Sequence, residues 1–369
     1  MRMPALVTRS VTIMAVPLLL SAVLGGITAT ALATVRTEPG VFAASFATSG
    51  RLSGVTATSA SNAWAVGSTG SGHALIAHWN GKAWSRVPSP APAGSSLSGV
   101  AATSARNAWA VGATRTGKAL TVWWNGKVWK RVPSPSPAAG FGLTSVTATS
   151  ARNAWTVGGN LILHWNGTAW KRVPHPSPAG SSLYGVAAIS AQNAWAVGGI
   201  AGKIMGKTLI LHWNGASWKR VPSPTPALSN NTPLLGAAAT SARSAWAVGC
   251  FSCAIAGLGD PLIARWNGTA WKRVPTPGHA RIVILSGVTA TTARNAWAVG
   301  SNGGETASKT VIIHWNGTAW KKVPSPGPGA HAVLSGVSAV SARSAWAVGS
   351  TNGAHPKTLI LHWNGTAWK

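Results

Sequence analysis

The sequence predicts an all-β protein, a seven-bladed β-propeller of four-stranded antiparallel blades preceded by a signal peptide. Three observations carry this. A Trp-rich unit recurs seven times, each unit divides into four short strand-forming stretches, and the first stretch is built of small residues whereas the later ones carry tryptophan.

Taken in chain order, residues 1–33 read as a signal peptide. Arg2 and Arg9 precede an uncharged apolar run from 10 to 33, and Ala31-Leu32-Ala33 supplies the small-x-small cleavage pattern. An uncleaved signal anchor is the alternative, because about 20 apolar residues span a bilayer. Either way the repeats face outward, as a secreted or surface-retained protein. No other stretch is long and apolar enough for a membrane helix, so no further insertion is expected.

Residues 34–51 form an N-terminal segment, and 52–369 hold the repeats. Units start at Leu52, Leu97, Leu143, Leu183, Leu235, Leu285 and Leu334, with spacings of 45, 46, 40, 52, 50 and 49 residues. Periods of this size mark propellers and solenoids. The unit reads approximately LSGVxATSARNAWAVG, a variable loop, TLILHWNGTAWKRVPSP, then a Pro/Gly/Ser linker, and all 22 tryptophans fall within such units.

Thr, Val and Trp favour strands, and the apolar residues do not recur at helical period. Asn-Gly pairs such as Asn166-Gly167 and Asn267-Gly268 predict two-residue type I′ turns joining the third strand to the fourth. In the first strand Gly54, Thr56 and Thr58 share one face, and Ser53, Val55 and Ala57 the other. Small residues near an axis and tryptophan at the rim suit a blade, and a closed ring avoids the polar caps that an open solenoid needs. The last unit stops at Trp368-Lys369, short of the Arg-Val-Pro that completes the fourth strand elsewhere. Residues 41–46 stand at repeat spacing to supply that strand; the alternative is an incomplete array.

Through Ala-Trp-Ala-Val-Gly (63–67, 108–112, 194–198) and His-Trp-Asn-Gly-Thr-Ala-Trp (362–368), the chain resembles a family of exported bacterial propeller repeats. Members often have Asp-Val-Trp-Ala-Val-Gly and His-Trp-Asp-Gly, where this chain has Asn in place of Asp. The resemblance spans all seven units and implies extracellular binding or scaffolding, with no agreed activity. The Trp-Asp, paired-Gly and Asp-box marks of other propeller families are absent.

The composition argues against an enzyme. The only acids are Glu38, Asp260 and Glu305, whereas glycoside hydrolysis ordinarily needs two carboxyl groups about 5–10 Å apart. Asp260 and Glu305 fall in equivalent loops of adjacent units, where solvated turn residues are the usual finding; a Tyr nucleophile would depend on Tyr184 alone. A hydrolase or lyase therefore ranks last. His78, His164, His212, His314 and His362 occupy one position of the third strand in five units. Pseudo-symmetry spreads them around the ring, so no metal and no cofactor is expected. Cys250 and Cys253 share one loop and suit a local disulfide in an exported protein. The tryptophans read as blade-to-blade core, with Trp123, which replaces the usual His, the best single candidate for an exposed platform though better suited to packing. The Asn-Gly-Thr sequons at Asn166, Asn267, Asn316 and Asn364 are explained first by their turns.

The strongest chemical signal is charge. Thirty-one Lys and Arg face three acids, a net +28, or about +26 once the signal peptide is removed. The cations recur in two places: the turn after the first strand (Arg106, Arg152, Arg243, Arg294, Arg343) and the fourth strand (Lys130-Arg131, Lys171-Arg172, Lys219-Arg220, Lys272-Arg273, Lys321-Lys322). The first-second and third-fourth turns of a blade share a face, so the arginines should ring that face and the pairs continue it toward the rim. Such a surface points to a non-catalytic binding or scaffold protein for an anionic polymer, cell-wall polymer or extracellular nucleic acid, held without a sequence code. The alternative is a protein or glycan recognition module using the variable loops 68–74, 199–207, 250–261 and 301–309, because specificity usually resides in such loops.

Overall fold

A computed structural model describes residues 46–136, 140–202, 206–226, 232–255, 258–278, 283–303, 308–327, 331–351 and 355–369, apart from the side chains of 253–258. The expected signal peptide at 1–33 and Glu38 lie outside the described residues, as do residues 41–45 and Glu305. Within these residues the fold is the expected all-β propeller of seven sheets. Blade 1 runs from Gly50–Ser59 through Asn62–Thr69 and Ala74–Trp79 to Trp84–Val87, each strand pairing antiparallel with the next. Blades 2 to 6 repeat this order, and blade 7 has three strands, Ala332–Ser341, Ser344–Thr351 and Thr358–Trp363. Among the described residues no helix is long and apolar enough to cross a membrane.

Small residues are required at the axis because the innermost strands nearly touch. A Cβ on Gly54 would lie 3.2 Å from Gly99 Cα, one on Gly287 3.3 Å from Gly336 Cα, and one on Gly336 3.2 Å from Gly54 Cα, which closes the circle. Hydroxyls stitch the same layer: Ala57 N donates to Ser338 Oγ at 3.0 Å across the junction of blades 1 and 7.

The first strand departs from simple alternation. A bulge between Leu52 and Gly54 leaves Ser53 unpaired, and places Leu52 with Val55 on the face toward the neighbouring blade. The same bulge fixes the repeat register. In blade 5 it lies between Leu234 and Gly236, so Leu234, which is fully buried, is the residue equivalent to Leu52, one position before the expected unit start at Leu235. Gly67 faces the bulge from the second strand, where a Cβ would overlap the carbonyl oxygen of Arg51.

Between blades the core is tryptophan. The second-strand residue (Trp64, Trp109, Trp155, Trp195, Trp246, Trp297, Trp346) is at most 1% exposed. Each packs against the third- and fourth-strand tryptophans of the next blade. Trp155 meets Trp213 at 5.0 Å and Trp218 at 5.2 Å, the latter edge-on at 88°. Trp346 makes the same contacts with Trp79 and Trp84 of blade 1, at 5.0 and 5.1 Å. Edge-to-face geometry is the favoured arrangement of aromatic quadrupoles.

Ring closure draws on both ends of the described chain. Trp368 bridges to Trp363 and packs 5.2 Å from Trp297, and Lys369 exchanges backbone hydrogen bonds with His362. Beyond it, Thr358 N donates to Thr48 O at 3.0 Å, and Thr358 Oγ1 donates to Phe46 O at 2.6 Å. Every other blade interface includes the fourth-strand valine of its blade, for example Val87 or Val323; at the blade 7 to blade 1 interface Phe46 fills that role. Of the expected closing strand 41–46, only Phe46 lies among the described residues. Phe46→Ala should destabilise by about 1–2 kcal/mol, less than a fully buried Phe because the ring is only partly buried. Hydrogen exchange should then speed up selectively in blade 7; uniform exchange across all blades would contradict a closing role for this segment.

Candidate functional site

The two turns at one end of each blade form a single unit. In the first-second turn, a hydroxyl two residues before the arginine accepts its amide: Arg106 N to Ser104 Oγ and Arg152 N to Ser150 Oγ, both at 3.2 Å. The third-strand tryptophan then donates its indole N–H to the carbonyl just before the arginine, as Trp124 does to Ala105 O at 3.0 Å and Trp266 to Ala242 O at 2.9 Å. The third-fourth turn lies alongside. A Cβ on Gly126 would sit 3.2 Å from Arg106 Cβ, and one on Gly268 3.1 Å from Arg243 Cγ. All five turn arginines are exposed on this face, and blades 1 and 4 carry Ser61 and Gln192 at the same position.

The third-fourth connection differs from the expected type I′ turn. Only the glycine has positive φ, +99° at Gly167 and +100° at Gly268, and a type I′ turn needs positive φ at both central residues. Four residues form the loop instead. Asn166 Oδ1 accepts the amides of Thr168 and Ala169 and the Thr168 hydroxyl, which removes the need for a strained Asn. The same bonds recur at Asn267, Asn316 and Asn364, so the sequon asparagines hold their turns.

The fourth-strand cations are all exposed, and their register shows where they point. Lys171 is directly opposite His164 and shares its face, the one turned toward blade 4. Arg172, one residue on, faces blade 2 with Trp170. Each Lys-Arg pair therefore straddles the outer edge of its blade. The groove between blades 3 and 4 receives Lys171 from one wall and Arg220 from the other, and the groove between blades 5 and 6 receives Lys272 and Lys322. The pairs line the rim grooves instead of extending the turn face.

The repeated histidines are structural. His164 stacks on Trp155 at 4.2 Å, and its Nε2 lies 2.7 Å from Asn153 Oδ1. Because Asn153 Nδ2 donates to Thr149 Oγ1, the amide oxygen faces the imidazole and accepts from its Nε2–H. Trp123 takes the same place in blade 2, donating to Asn107 Oδ1 at 2.8 Å while packing 6.2 Å from Trp109. It serves in packing, as the repeat position suggests. In blade 5 the position is Arg265, held 5.1 Å from both Trp246 and Trp315.

Other sequence candidates separate in space. Tyr184 lines an axial cavity of about 150 Å³ with Ser53, Ser98, Thr144, Ser286 and Ser335, and no acid lines it. Segment 250–261 is not an open loop: Ser244–Ile255 and Leu258–Trp266 pair as an extended hairpin, since Cys250 and Phe251 continue the ladder opposite Pro261 and Asp260. Asp260 is thus an exposed strand residue. Cys250 is disulfide-bonded, and the Cys253 side chain lies outside the described residues. Among the described residues no cluster of three His, Cys, Asp or Glu could hold a metal.

No family model matches the chain, and no curated protein matches it. Solved structures share its fold. YCF48 bound to a D1 peptide is 13% identical, with a TM-score of 0.55 over 85% of this chain and 93% of that one. The BP39L lectin from Burkholderia pseudomallei is 13% identical, with a TM-score of 0.56 over 88% and 98%. The GH74 xyloglucanase from Xanthomonas campestris is 13% identical, with a TM-score of 0.58 over 88% of this chain and 55% of that one. At these identities the likeness is one of fold.

Burial lowers the pKa of His78, His164, His212, His314 and His362, and of His175, where Arg172 adds to the effect. The unfolded chain, with histidines near 6.5, then binds more protons than the folded one as pH falls below that value. Stability should be full above about pH 6.5 and should decline on acidification through the lowered folded-state values. Thermal melts from pH 7.5 to 5 check this, and His164→Trp, which copies blade 2, should flatten the decline. A melting temperature that rises on acidification would contradict it.

Proposed function

We propose that this chain is a non-catalytic extracellular binding protein that holds an anionic polymer, wall-associated or nucleic, on its repeated basic surface. The observation that carries this reading is the repetition of exposed cations at matched positions of successive blades, with Asp260 the one acid among the described residues. Internal ion pairing cannot neutralise them. A polyanion can, and it gains free energy from the counterions it releases.

The chemistry for catalysis is thin. Asp260 stands exposed on a hairpin, Tyr184 has no acid beside it in the axial cavity, and the repeated histidines are engaged within their own blades, four with asparagine and His362 with Ser344. A second reading, protein or glycan recognition, is favoured by one feature, the long hairpin of blade 5 with the disulfide-bonded Cys250. Propellers of this shape include a lectin and a peptide-bound protein. If this reading holds, replacing 250–261 with a short turn abolishes binding to the partner, while the turn arginines can be changed freely.

The polyanion reading is tested by the melting temperature of the secreted protein at two salt concentrations, with anionic and neutral polymers. A ligand at one hundred times its Kd adds about 2.7 kcal/mol of stability. The expected result is a rise confined to anionic polymers that shrinks as salt increases. No response to any polyanion at low salt would overturn the reading.

A further inference from the structure

We infer that the polymer runs around the rim, across the grooves between blades 2 and 6, and that it is a flexible single chain. This rests on the polyanion reading and locates it. Alternation along the fourth strand places a Lys of one blade and an Arg or Lys of the next on opposite walls of each groove. The arrangement is unbroken over four successive grooves, from Lys130 and Arg172 to Lys272 and Lys322. It is interrupted in the groove between blades 1 and 2, where Ser85 takes the Lys position opposite His78.

The turn face offers no comparable path. Its arginines are interrupted at Gln192, in the middle of the same arc, and at Ser61. A polymer laid on the turns would cross an uncharged blade where the rim is most continuously basic. Three of these grooves also bring a part-exposed third-strand tryptophan, Trp165, Trp213 or Trp266, to the wall that carries the Arg, whereas Trp315 in the groove between blades 5 and 6 is buried.

Curvature restricts the polymer. Four strands about 4.8 Å apart, outside a narrow axial cavity, put the rim roughly 20 Å from the axis. Duplex DNA has a persistence length of about 500 Å and resists a bend of that radius. A single chain of phosphate or similar charges follows it at little cost. Each groove contributes a weak contact, and linkage along the chain raises the apparent affinity.

Two variants with equal loss of charge separate rim from face, each using residues that the repeat itself carries at those positions. The rim variant combines Lys130→Ser, Lys171→Ser, Lys219→Ser and Lys272→Ser, after Ser85. The turn variant combines Arg106→Gln, Arg152→Gln, Arg243→Gln and Arg294→Gln, after Gln192. Binding of oligothymidylate, polyphosphate and duplex DNA of matched charge is measured against salt, with thermal melts as the check on folding. The rim variant should lose about 3–4 from the slope of log affinity against log salt, at 0.7–0.9 per contact. The turn variant should lose less than about 1. Both single-chain probes should bind more tightly than the duplex. Equal losses in the two variants, or preference for the duplex, overturns the rim path. Failure of the unaltered protein to bind any of the three overturns the polyanion reading itself, a separate result.

Discussion

The wedge of one tryptophan between two others, repeated at every blade interface, is the contact on which this molecule depends. A four-stranded sheet cannot hide its own faces, and here the innermost strands offer mainly small residues, with a Leu and a Val such as Leu52 and Val55 toward the neighbouring blade. The apolar area that drives folding therefore sits farther out, where Trp155 is enclosed by Trp213 and Trp218, and Trp346 by Trp79 and Trp84. The arrangement has a cost. Fourteen buried indole N–H groups, those of the second- and fourth-strand tryptophans, meet no oxygen or nitrogen acceptor among the described residues. Edge-to-face contact turns ring edges toward π faces, a weak substitute for a hydrogen bond. The third-strand tryptophans are spared, since each reaches a carbonyl of its own blade's turn.

That core sets what the surface can do. Because the fourth-strand tryptophan must point inward to meet the wedge, the next two residues fall on alternate faces of an exposed edge strand. Cations there are carried into the grooves whether or not a ligand exists. The histidines follow a similar logic: each covers the outer face of a wedge tryptophan, and burial favours its neutral form, which keeps additional positive charge out of a surface already crowded with it.

Much of this was legible in the residues. The seven units, the four strands in each, the inward role of the tryptophans and the shared face of the two turns all follow from period and residue type. What was not legible depended on backbone detail. Period-2 alternation assumes an unbroken strand, so the bulge at Ser53 hid both the pairing of Leu52 with Val55 and the equivalence of Leu234. Asn-Gly signals a tight turn, but the two following amides that Asn166 Oδ1 accepts make it a four-residue loop. Small and polar residues at 250–261 resembled a loop because ladder pairing between Cys250 and Pro261 leaves little mark on composition. Repeat spacing placed 41–46 at the closing position, but which backbone groups tie Phe46 and Thr48 to Thr358 depends on register that spacing does not give.

The central claim is that the rim grooves carry the binding surface, and lysine reactivity mapped by mass spectrometry, with and without a bound single-chain polyanion, tests it most directly. Lysines are distributed so that each surface reports separately: Lys171 and Lys219 for the grooves, Lys82 and Lys127 for the turn face, Lys207 and Lys357 for the opposite face, all of them exposed. The account predicts protection of Lys130, Lys171, Lys219 and Lys272, with the turn and opposite-face lysines labelled as in the free protein. Protection centred on Lys82 and Lys127, or on Lys207 and Lys357, would contradict it.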